Sequence, residues 1–111
     1  MLYRKLPAGL LACALVISAL AAPAAAAEAK MNQKHLQFLP ELLNINVGDA
    51  VRFTNEDSYF HDVTIINADG TKDDRGLQDH GKDTVYTFTK AGTFQVRCRL
   101  HPAMKATIVV K

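Results

Sequence analysis

Apolar and polar positions alternate in short runs from residue 36 onward, and helical spacing is weak throughout that region. Leu36–Leu39 is a short apolar stretch that Pro40 stops. Leu42–Val47 follows, then Gly48-Asp49 as a tight turn, then Ala50–Thr54, in which Val51 and Phe53 share a face. The polar run Asn55-Glu56-Asp57-Ser58 predicts a turn before Phe60–Ile66, and Asn67–Asp83 reads as a long polar loop holding Gly70, Gly76 and Gly81. Thr84–Thr89 and Thr93–Cys98 read as a strand pair around Lys90-Ala91-Gly92, and Lys105–Val110 closes the chain. Short strands at this spacing predict an all-β sandwich or barrel.

The parity of the last strands carries the first chemical hint. Phe94, Val96 and Cys98 fall on one face, with Thr93, Gln95, Arg97 and Arg99 on the other. Met104, Ala106, Ile108 and Val110 repeat the apolar parity on the next strand. The loop between them, Arg99 to Ala103, carries His101 at its middle, so one loop can bring Cys98, His101 and Met104 around a point at the end of a sandwich. His61 lies 37 positions before Cys98, at the start of a strand with Val63 and Ile65 on its own parity.

The first 27 residues follow another pattern. Arg4 and Lys5 precede an almost unbroken apolar run from Leu6 to Leu20, and an alanine-rich stretch around Pro23 ends in Ala25-Ala26-Ala27. This predicts a secretory signal peptide over 1–27, cut near Ala27/Glu28, ahead of a single domain over 28–111. An uncleaved anchor is disfavoured by Pro23 and the alanine-rich second half. Lipidation at Cys13 is disfavoured by the short apolar core before it and the apolar run after it. The chain has 13 Lys plus Arg against 11 Asp plus Glu, and loss of Arg4 and Lys5 leaves 11 against 11. That balance argues against nucleic acid and against a strongly charged membrane surface as partners. Cys13 leaves with the signal, so the mature chain keeps Cys98 alone, with no disulfide partner in an oxidising compartment.

A buried free thiol is the plain alternative for Cys98, but His101 three residues on makes ligation the better reading. Thiolate and thioether are soft donors suited to Cu(I), and imidazole accepts copper in either oxidation state. Two histidines and a cysteine in a trigonal plane with a weak axial methionine form a blue-copper electron-transfer site. The predicted ligands of one copper ion are therefore His61, Cys98, His101 and Met104. Zinc fits less well, because structural zinc sites use four sulfur or nitrogen donors and methionine is not a usual one. An enzyme fits less well too, since catalytic metals keep an open position and no nucleophile–base or carboxylate pair stands out. His35 and His80 have no evident ligand neighbours, and His80 reads as solvated. Asn67-Ala68-Asp69-Gly70 lacks the closing glutamate of a calcium loop and reads as a turn. Arg97, Arg99 and Lys105, on the outward parity, read as a solvated face ahead of a basic rim for an acidic partner.

Phe38-Leu39-Pro40, Val47-Gly48-Asp49, Val51-Arg52-Phe53-Thr54-Asn55 and His61-Asp62-Val63 resemble the first half of a small cupredoxin. Ala91-Gly92-Thr93-Phe94, Cys98-x-x-His101 and Met104–Val110 resemble the second half. The resemblance spans nearly all of residues 33–111, and the short Cys-x-x-His-Pro-x-Met spacing is nearer to amicyanins than to plastocyanins. It implies a Greek-key β-sandwich, a periplasmic location, and single-electron shuttling through one type 1 copper. It also implies docking of a redox protein on an apolar patch about His101, drawn from Phe60, Leu100, Pro102 and Ala103. A monomer without stable membrane insertion is expected, and a copper carrier or buffer is the alternative function. Two departures stand out. Asp62 occupies the place where the family usually has an asparagine that ties the ligand loops together. The mature domain also lacks much of the N-terminal extension of amicyanins.

Overall fold

The computed structural model describes residues 26–111 together with Gly9 and Ala14. Apart from Gly9, Ala14, Ala26 and Ala27, the predicted signal segment 1–27 lies outside the described residues. Nine strands and no helix make up the described residues: β1 (Glu28–Lys34), β2 (Gln37–Leu39), β3 (Leu42–Ile45), β4 (Ala50–Asn55), β5 (His61–Ile66), β6 (Lys72–Gln78), β7 (Asp83–Thr87), β8 (Gly92–Arg97) and β9 (Lys105–Val110). They form two sheets, β2-β1-β4-β7 and β3-β9-β8-β5-β6. The expected all-β sandwich is what the chain builds. β1 pairs parallel with β4, β3 pairs parallel with β9, and the remaining neighbours are antiparallel.

Alternation decides which side chains enter the core. In β4, Val51, Phe53 and Asn55 are buried while Ala50, Arg52 and Thr54 are half-buried. Phe94 and Val96 of β8 face Ala106, Ile108 and Val110 of β9 with the predicted parity, which carries Cys98 and Met104 into the interior at one end. Phe38, Phe53 and Phe88 are the largest fully buried side chains. Each contributes roughly 1.5–3 kcal/mol through the apolar surface it withdraws from water.

Two strands differ from the sequence-based expectation. Residues 72–78, inside the predicted polar loop, form β6 at the edge of the larger sheet. Its sequence hides it, because an edge strand that is mostly exposed up to buried Gln78 needs no apolar alternation and is protected by charge. Residues 28–34 form β1, whose inward residues are Met31 and Gln33. A buried glutamine breaks the apolar pattern there. β6 also carries a bulge: Asp62 pairs with Leu77 and Thr64 with Asp74, so Val63 faces two residues, Arg75 and Gly76. Gly76 lies at φ 91°, a conformation glycine adopts without a steric cost.

Strand directions bring four connections to one end of the sandwich. These are the β1–β2 turn, the β4–β5 segment around Asp57, the β6–β7 segment around His80, and the β8–β9 loop.

Candidate metal centre

His61 opens β5 with its ring fully buried, and Cys98 follows the last residue of β8 with its sulfur inside. The β8–β9 loop begins there and returns at Met104, where the Met104 N–H donates to the His101 carbonyl at 2.9 Å. That turn brings half-buried His101 back over Cys98. The donor atoms of His61, Cys98 and His101 converge. His61 Nδ1 and His101 Nδ1 lie 3.1 Å apart, and Cys98 Sγ lies 3.8 Å from the first and 3.7 Å from the second. The point equidistant from three atoms so spaced is about 2.1 Å from each, the reach of imidazole and thiolate bonds to a first-row divalent ion. The three residues therefore fit a metal in a trigonal plane. Met104 is buried at the first step of the loop's return, on the inward parity of Ala106, Ile108 and Val110.

Neighbouring groups orient these donors. His61 Nε2 faces Asp57 Oδ2 at 2.8 Å. A carboxylate there takes the Nε2–H and leaves the Nδ1 lone pair for a metal. Burial pushes the Asp57 carboxyl up, but the Leu36 and His35 N–H groups and the His61 ring outweigh it, holding Asp57 below the ordinary aspartate value. Cys98 Sγ accepts a hydrogen bond from the Asp62 N–H at 3.3 Å. Such bonds to the cysteine sulfur tune the potential of a copper–thiolate site.

Asp62, the departure from the family pattern, is fully buried and accepts from Thr64 Oγ1 at 2.6 Å and from the Arg99 N–H at 3.4 Å. The second bond ties the loop after Cys98 to β5, the linkage expected of the usual asparagine. Arg99 is more than a solvated residue: its guanidinium pairs with Asp74 at 2.6 Å and reaches Asp62 at 3.5 Å. Burial, then the neighbouring Asp74, pushes the Asp62 carboxyl up, while the bond with Asp62, the Gly76 N–H and Arg99 hold Asp74 down. Sequence reasoning missed Asp74 because it lies in the strand taken for a loop. Asp57 gave a signal that went unread, four residues before His61 in a turn that must close over it.

The other two histidines lie outside the donor triangle. His80 is exposed, and its Nδ1–H donates to the Asp57 carbonyl at 2.9 Å. His35 sits in the β1–β2 turn. Asn67–Thr71 is a turn, closed by the Gly70 N–H on the Asn67 carbonyl. The outer edge of the site is apolar, with Tyr59, Phe60 and Leu100 all about half exposed and the Tyr59 ring edge-on to His101 at 6.3 Å.

The two-sheet sandwich with its convergent His–Cys–His donors defines the chain as a cupredoxin. The profile of the copper-binding proteins of the plastocyanin/azurin family matches residues 25–111. The methylamine utilization protein MauL of Methylorubrum extorquens is 28% identical over 92 residues, 83% of this chain and 81% of its own. Amicyanin of Paracoccus denitrificans is 34% identical over 76 residues, 65% of this chain and 56% of its own. A Cu(I) structure of an amicyanin variant superposes with a TM-score of 0.70 at 22% identity, over 76% of this chain and 82% of that one, which supports the fold. The copper-containing nitrite reductase of Thermus scotoductus matches at a TM-score of 0.69 and 31% identity, over 76% of this chain but 22% of the reductase. The chain belongs to the plastocyanin/azurin family of copper-binding proteins. Copper is its cofactor, and it is of the electron-carrier kind rather than an enzyme, although the reductase shows the same fold serving as one domain of an enzyme.

Proposed function

We propose that this chain is a periplasmic, monomeric, mononuclear blue-copper protein that passes single electrons between redox partners. His61, Cys98 and His101 are assigned as the trigonal ligands and Met104 as the axial one. The observation that carries this reading is the donor triangle, whose centre stands at metal-bond distance from two imidazole nitrogens and one thiolate. When bound, copper supplies a one-electron Cu(I)/Cu(II) couple. The protein's part is to hold the donors in one arrangement for both oxidation states, through Asp57 on His61 and the Asp62 N–H on Cys98. His101 is the one of the three donors that is not buried, so a partner docks over it, against Phe60, Leu100 and Tyr59. Residues 1–27 are assigned as an export signal and 28–111 as the mature domain, with Glu28 opening β1.

Cu(II) added to purified residues 28–111 tests the assignment. An intense thiolate-to-copper absorption band, a matching EPR signal and reversible reduction support the shuttle. A colourless protein that retains only Cu(I) supports a copper carrier or buffer instead. N-terminal sequencing of the exported protein tests the signal.

A further inference from the structure

The turn joining β1 to β2 carries strain that its own residues do not relieve. A two-residue hairpin loop with both central residues at positive φ ordinarily takes Asn-Gly. Here the positions belong to His35 at φ 54° and Leu36 at φ 56°. Histidine enters that region more readily than most residues, but leucine seldom does. Such backbone persists where its surroundings over-determine it. Asp57 does so: its Oδ1 accepts from the His35 N–H at 2.8 Å and its Oδ2 from the Leu36 N–H at 3.0 Å. The same Oδ2 faces His61 Nε2 at 2.8 Å. The backbone of Asp57 is held as well, its N–H donating to Asn55 Oδ1 at 2.9 Å and its carbonyl accepting from His80 at 2.9 Å.

We propose that the His35–Leu36 turn is a positioning element of the metal centre, presenting two N–H groups that orient the Asp57 carboxylate and, through it, the His61 ring. The last step rests on His61 being a ligand, as proposed above. A carboxylate bonded only to one imidazole keeps a broad, nearly free rotation about its terminal torsion. With one N–H on each oxygen that rotation is closed, and the lone pair left for His61 points in one direction. The hold is mutual, because these charge-assisted bonds offset the strained backbone. Metal-ligating histidines usually donate their other ring N–H to a carboxylate, carbonyl or water; here that carboxylate is itself oriented from the other sheet, by the turn joining β1 to β2.

Two substitutions at one position separate this from a plain packing role. Leu36→Pro forces φ to about −65° and removes the N–H, whereas Leu36→Gly deletes the same side chain but keeps the N–H and the positive φ. The readouts are exchange of the His61 Nε2 proton by NMR in metal-free protein, and the absorption band and midpoint potential of copper-loaded protein. Leu36→Gly is expected to keep all three at wild-type values. Leu36→Pro is expected to speed proton exchange by about tenfold or more, as local opening replaces a fixed bond, and to shift both band and potential. If Leu36→Pro does not fold, inserting two glycines between His35 and Leu36 releases the turn and should give the same changes. Wild-type exchange in either released variant overturns the proposal. Faster exchange with an unchanged band and potential overturns the role of the turn at the metal centre, whereas the ligand assignment of His61 is tested apart from it by His61→Ala, in which an unchanged absorption band would overturn that assignment.

Discussion

At the end that carries His61, Cys98 and His101, buried polar side chains link the two sheets beside buried Phe38 and Met104, whereas at the opposite end Tyr86, Phe88 and Phe94 pack edge to face. Near the metal centre, Gln33 Nε2 donates to Gln78 Oε1 at 2.5 Å, linking β1 to β6. Gln78 Nε2 donates to the Phe53 and Lys82 carbonyls, and Asn55 Nδ2 to the Tyr59 and Gln78 carbonyls. At the far end the ring centroids of Tyr86–Phe88 and Phe88–Phe94 are 4.8 and 5.1 Å apart, beside an open cleft of about 380 Å³ under the Asn67 turn. Apolar contact is non-directional and tolerates small displacements. Hydrogen bonds fix both distance and angle, and a buried polar group left unpaired costs about 1–3 kcal/mol. The far end therefore relies on apolar contact, and the metal end adds hydrogen bonds that hold the segments carrying the three donor atoms.

Loss of the thiolate should give the largest effect at the metal end. Cys98→Ser is expected to abolish the intense absorption band while circular dichroism still reports the sandwich, because the apolar strands form the core independently. The opposite result is expected at the far end. Phe88→Ala should cost roughly 3–5 kcal/mol of unfolding free energy and leave the band and potential unchanged. A shifted spectrum in that variant would break the division between the ends.

Within the metal end the two histidines should respond differently. His61 is fully buried and His101 half-buried, so added imidazole is expected to restore colour to His101→Ala and not to His61→Ala. Equal rescue would contradict the burial difference. Met104→Gln is a finer change. A harder oxygen donor in place of the thioether should favour Cu(II) and lower the midpoint potential, with some colour retained. An unchanged potential with about 1–3 kcal/mol of lost stability would mark Met104 as packing alone, because a buried amide would then go unpaired.

The smallest expected effect concerns Asp62. Its carboxyl is held above the ordinary aspartate value, so the folded chain binds more protons than the unfolded one between those two values. Stability of the metal-free protein should therefore fall as pH rises through that window, by at most about 1.4 kcal/mol per pH unit. Asp74, held down, acts below the ordinary value, where stability falls as pH falls. Asp62→Asn should flatten the upper window, as read from denaturant unfolding at several pH values. An identical pH profile would remove the buried carboxyl as its cause.

Much of this was legible from parity and spacing. Val51 with Phe53, Phe94 with Val96 and Cys98, and Ala106 with Ile108 and Val110 mark inward faces because a half-buried strand must alternate, and that requirement is local. The convergence of Cys98 and His101 was legible for the same reason, since a short loop between paired strands cannot take them far apart. Arrangements depending on distant segments were not legible. Nothing local assigns charged Lys72-Asp73-Asp74-Arg75 to a strand, because its pairing with β5 supplies the hydrogen bonds that its own pattern does not advertise. Nor does the sequence of Lys34-His35-Leu36-Gln37 call for two left-handed residues. That backbone exists because Asp57, 21 and 22 positions away, is brought against it. Chain-local physics thus determined the alternating strands, their inward faces and the candidate donors. The fold decided the donor distances, the Asp57 relay and the Asp62–Arg99–Asp74 contacts, because each needs groups that only packing of the two sheets and their loops brings within hydrogen-bond reach.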